Sequence, residues 1–215
     1  MLYLLYKLGK HTEAHKMTII FENITYKRSI EDYEQKYIAV RMMLEQNKLL
    51  YNNPYFGDAY RQEIKWNMST QIRRFGQYFI QEDAIVDAKE TYMYGTGIVD
   101  QKGFEHTTPL GSDKSEATGR LNEYFNSEIT VDELLFSPIT RVHKELDEKL
   151  RGKHVYLNED PTHFFNRYLD AGFEGPIKTW KGDIVDLRHW DFNDHISQVI
   201  KPHPVWGHLW KKYAV

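Results

Sequence analysis

The chain has 215 residues, 41% of them apolar and 14% aromatic, and its 28 basic and 31 acidic residues leave a net charge of -3. That length and apolar content exclude a peptide module and a disordered chain, and predict a folded protein with a sizeable core. The evenly spread charge gives no support to a nucleic-acid partner, and zero cysteines exclude a disulfide framework, a thiol nucleophile and an iron–sulfur site, in keeping with a cytoplasmic setting.

The opening stretch, MLYLLYKLGKHTEAHK, lacks the basic start and small-residue cleavage site of a signal peptide. Its apolar run, Met1 to Tyr6, falls far short of the ~20 residues needed to cross a bilayer, so no membrane association is expected. Met17 offers a second plausible beginning, which makes residues 1–16 a peripheral extension of a single domain spanning 17–215.

Ser29 followed three residues later by Asp32 reads as a capping box, and Ile30, Tyr33, Tyr37, Val40 and Leu44 recur at helical spacing. After the break NNPYFGD, a second helix capped by Asp58 carries Tyr60, Ile64, Met68, Ile72, Phe75 and Phe79 on one face. Two such helices joined by a short Pro/Gly turn are expected to pack as a hairpin. Within the second, Asp58, Glu63 and Lys65 imitate the carboxylate–carboxylate–lysine set of metal-dependent nucleases, but that chemistry needs Glu63 and Lys65 on one face of a strand and the period here is helical.

From residue 80 the pattern changes to one or two strands with glycines at 95 and 97, followed by a polar loop over 101–119 that separates subregions 17–100 and 120–215. Thr130 and Glu133 form a second capping box, and Ser137 with Pro138 is expected to start a helix carrying Ile139, Val142, Leu146 and Leu150. KHVYLN reads as a strand. DPTHFFNRYLDAGF reads as a helix with Asp160 as its cap, Phe164, Phe165, Tyr168 and Leu169 turned inward, and Gly172 as its left-handed stop. One or two more strands over 174–192 complete an α+β order: an N-terminal helical hairpin packed on a small mixed or antiparallel sheet, with further helices in the C-terminal half.

Within this region FFNRYLDAGFEGPIKTWKG resembles the segment of ATP-dependent DNA ligases in which a helix ends at glycine and leads into an E-G-x-x-x-K strand. Glu174 and Gly175 match, Lys178 arrives one residue early, and no K-x-D-G occurs in the chain, so no catalytic role is carried over.

The tail, Leu187 to Tyr213, concentrates four of the ten histidines and three of the five tryptophans. His189 and Asp191 stand two apart, on one side of an extended segment, and with His195 would supply a histidine–carboxylate set for a divalent transition metal. Prolines on both sides of His203 predict an extended path, and Trp206 and Trp210, four apart on a short helix that ends near Tyr213, predict one shared aromatic face. No phosphate loop, nucleophile elbow, H-E-x-x-H helix or kinase signature is present. The reading that results is a soluble, non-enzymatic interaction or assembly protein, of viral or mobile-element type by its Lys, Asn, Ile and Tyr usage. It has no cofactor and takes a protein partner or a second copy through Trp206, Trp210 and Tyr213. The alternatives are a metal-dependent enzyme using His189, Asp191 and His195, and a nucleic-acid-processing protein.

Overall fold

A computed structural model of the chain describes residues 19–21, 24–26, 29–79, 91–94, 104–106, 119–141, 144–150, 165–174, 176–179, 181 and 183–214. β1 (Ile19–Phe21) and β2 (Ile24–Tyr26) pair antiparallel, Ile19 opposite Tyr26. α1 (Ile30–Tyr51) starts at the expected capping box: the Ser29 hydroxyl accepts from the Asp32 N–H and the Asp32 carboxylate accepts from the Ser29 N–H, both at 3.1 Å. Two of the donors that a helix start leaves orphaned are thereby satisfied, and Tyr33, Tyr37, Val40 and Leu44 go into the core.

α2 (Asp58–Phe79) differs at its beginning. Asp58 is the first helical residue and not the cap, because the Gly57 carbonyl already accepts from the Tyr60 and Arg61 N–H groups. Ile64, Met68, Ile72 and Phe75 are buried as expected, whereas Tyr60 is 41% exposed: at the turn it packs on Phe56, ring centroids 4.5 Å apart. Helical geometry through Glu63 and Lys65 turns them roughly 200° apart, which removes the nuclease-like arrangement. α1 and α2 pack together as the predicted hairpin, and α1 also leans on α3 (Arg120–Phe125) and α4 (Val131–Leu135). α4 opens on the predicted box, Thr130 Oγ1 accepting from Glu133 and Glu133 accepting from the Thr130 N–H.

The described residues are mostly helical, and the strands are three or four residues long. β3 (Thr91–Tyr94), β4 (Phe104–His106), β5 (Ile139–Arg141) and β6 (Ile177–Thr179) pair in the order β4-β5-β3-β6, with β3 and β6 parallel and the other two pairs antiparallel. Two expectations change here. Ile139 belongs to a strand and not to a helix, because β5 finds hydrogen-bonding partners on both sides, and the helix α5 spans only Lys144–Leu150, with Leu146 and Leu150 buried. Phe104–His106, expected in the polar loop, pairs with β5 for the same reason. The rest of the loop up to 118, the glycines at 95 and 97, the KHVYLN strand and the Asp160 cap lie outside the described residues.

α6 (Asn166–Asp170) stops as predicted: Gly172 takes φ +74°, and the Phe173 N–H reaches back to the Tyr168 carbonyl at 3.0 Å. In the tail, α7 (Phe192–Asp194) runs on into a π-helical turn, His195–Ile200, and α8 (Trp206–Tyr213) follows. One cluster of buried side chains joins the hairpin, α3, α4, Ile139, Ile177 and the tail. No helix among the described residues is long and apolar enough to cross a membrane.

Candidate functional site

The tail residues singled out by sequence are each engaged in a different direction. The Nδ1 atom of His189 lies 2.8 Å from Asp186 on the exposed surface. Asp191 is the N-cap of α7, accepting from the Asp194 N–H at 2.8 Å while Asp194 accepts from the Asp191 N–H. His195 is buried, and its Nε2–H donates to the Phe136 carbonyl at 2.9 Å. Among the described residues no group of three or more His, Cys, Asp or Glu converges in a way that would hold a metal ion.

Trp206 is buried and Trp210 is half-buried, its ring edge-on to Phe136 at 5.3 Å. Tyr213 lies against Tyr37, ring centroids 5.3 Å apart. Glu34 on α1 accepts from Lys212 at 2.7 Å and pairs with His208 at 2.5 Å, and Arg41 donates to the Tyr213 carbonyl at 3.1 Å. α8 therefore lies against the flank of α1.

A role that sequence reading missed belongs to His203. Its ring is buried, stacks on Trp206 at 3.6 Å and 18°, and accepts at Nδ1 from the N–H groups of Val205 and Trp206, each at 3.2 Å. The ring thus accepts from the N–H groups at the N-cap and first helical position of α8, where a helix start has no intrahelical partners to offer. Burial holds its pKa well below the ordinary 6.5, and a neutral ring is what an accepting Nδ1 requires. The signal was present in PHPVW, a side-chain acceptor two and three residues ahead of the first helical N–H groups.

A cavity lined by described residues lies elsewhere, between the flank of α1 and the α3–α4 connection, and holds about 600 Å³. That volume is within the range of small-ligand and peptide-side-chain sites. Asp132, on the cavity wall, accepts from the buried Tyr37 hydroxyl behind it, and the Arg41 guanidinium lies 3.4 Å from Asp132 and 3.2 Å from Glu45. Burial raises the Asp132 pKa against the opposing pull of Tyr37 and Arg41. Burial and the adjoining Asp132 carboxylate raise that of Tyr37, which keeps its proton at any ordinary pH and offers no base. Burial also pushes the Tyr124 phenol up to about 12.

In the same cavity the Lys48 ammonium sits 4.4 Å over the Tyr124 ring, and burial lowers its pKa. Asn52, at the end of α1, donates to the Phe125 carbonyl at 3.1 Å and ties the ends of α1 and α3 together. Ser127, the residue after the α3 cap, lines the cleft at φ +63°, a left-handed conformation that favours glycine. Arg41, Asp132 and Glu45 form fixed ion pairs at one end of the cleft, while the Lys48 ammonium faces a ring. Sequence reasoning had no access to this cleft, since Arg41 and Asp132 meet across 91 positions of chain.

No protein-family model, no curated protein and no solved structure matches this chain.

Proposed function

We propose that this chain is a non-enzymatic interaction or assembly protein whose contact face is the side of the α1–α2 hairpin turned away from the core, with a second copy of the chain as the partner to test first. The observation that carries this reading is the exposure of large apolar side chains there: Met42 at 55%, Leu49 at 75%, Tyr55 at 88% and Trp66 at 61%. Single exposed apolar residues are ordinary on any protein. Ile38, Met42 and Leu49, however, stand four and eleven residues along one helix and share a stripe opposite the buried Tyr33, Tyr37, Val40 and Leu44. A helix with apolar residues on two opposite sides has one side still to cover. The scaffold in this reading is α+β, the short paired strands completing the core beside the hairpin through Ile139 and Ile177.

Sedimentation velocity of the untagged protein over a wide concentration range tests this. Reversible self-association is expected, and the variant carrying Met42→Asp with Leu49→Asp should sediment as a monomer with unchanged helix content. A wild-type protein that stays monomeric throughout, or a variant that associates as the wild type does, would refute the proposal.

A further inference from the structure

We infer that the cleft between α1 and the α3–α4 connection binds a basic, apolar polypeptide segment, lysine or arginine side chains interleaved with aliphatic ones. This rests on the interaction reading in one respect, that the ligand is a polypeptide. Leu49, Ile129, Val131 and the Tyr124 ring provide apolar lining, and Leu49 is among the most exposed apolar side chains described.

The charge around that lining is unequal. Glu45, Glu128, Asp132 and Glu133 set four acidic groups against the two basic ones, Arg41 and Lys48. Arg41 is shared between Asp132 and Glu45, which compensates those two acids in part and leaves the excess negative charge with Glu128 on the connection and Glu133 on α4. α1, 22 residues long, ends on the cleft wall at Asn52, and the partial negative charge of a helix C-terminus adds to the same sign. Acids stand on both walls, Glu45 on α1 and Glu128 on the connection, and among the described residues no group of three or more converges to hold a metal ion. A segment with spaced cations meets several while its aliphatic side chains cover Leu49 and Ile129.

Lys48 is the group that opposes such a ligand. Its ammonium occupies the Tyr124 ring face, the place an incoming lysine would take.

The test uses the full chain and a fluorescein-labelled synthetic peptide of alternating leucine and lysine, with a leucine–glutamate peptide as its counterpart, followed by anisotropy at low and high salt. The basic peptide should bind, more weakly as salt rises. Glu45→Lys with Glu128→Lys should weaken binding about tenfold. Lys48→Glu should tighten it several-fold, a gain that a misfolded variant cannot imitate. No binding of the basic peptide, equal binding of the acidic one, or weakening by Lys48→Glu would overturn the inference. A chain that stays monomeric yet binds the basic peptide in this pattern would sink the self-assembly proposal and leave this one standing.

Discussion

Replacing Gly207 by alanine sets two effects against each other, and the structure decides between them. Gly207 lies in α8, where an alanine in place of glycine ordinarily stabilises a helix by about 1 kcal/mol. Here a Cβ would stand 2.2 Å from the carbonyl oxygen of Lys201, at the end of the π-helical turn, where ordinary contact begins near 3.4 Å. The clash is with backbone, so no side chain can swing aside. α8 must lift by about 1 Å, which loosens the burial of Trp206 and Leu209 and strains the His203 contact, and overpacking of this kind costs ~1–3 kcal/mol, with lost burial added to it. The net expectation after the propensity gain is a loss of about 2 kcal/mol, a fall in Tm of about 4–8 °C for a chain of this size. Thermal unfolding followed by circular dichroism measures it. A Tm equal to or above that of the wild type would mean that the tail does not pack on the turn as described.

Acid should destabilise the protein through His203. Its folded pKa is depressed, so below about pH 6.5 the unfolded chain takes up a proton that the folded one refuses. Stability is then full above that value and falls by up to about 1.4 kcal/mol per pH unit below it. His203→Asn keeps an acceptor for the start of α8 and should flatten this dependence in urea unfolding at pH 7 and 5; an unchanged slope would contradict it. Ser127→Gly relieves a left-handed backbone and should raise stability by about 0.5 kcal/mol after the added freedom of the unfolded chain is subtracted, so a lower urea midpoint would count against the Ser127 geometry. Asp191→Ala should cost about 1 kcal/mol as a lost N-cap. His189→Ala, by contrast, should stay within about 0.5 kcal/mol. Elemental mass spectrometry of the untagged protein is the matching check, and a near-stoichiometric metal lost with His189→Ala would restore the metal-site reading.

What the sequence determined by itself is the set of features written in neighbouring residues. The Ser29–Asp32 and Thr130–Glu133 boxes, the buried stripe of α1, most of that of α2, the Gly172 stop and the short helix at the tail follow from contacts three to five positions apart, where side-chain spacing and backbone geometry are the same thing. Tertiary structure decided everything whose partner is far along the chain. Ile139 is a strand residue only because β3 and β4 arrive on either side of it. His195 is a buried donor only because the Phe136 carbonyl, 59 positions away, is placed to receive it. Asp191 and His189 alternate like metal ligands in sequence, yet local hydrogen bonds claim one for a helix cap and the other for Asp186. The cleft is the clearest case, since its walls come from α1 and from residues some eighty positions later, and its acidic balance exists only once they face each other. Periodicity reports which side of an element is buried, while the identity of the covering surface is a property of the folded chain alone.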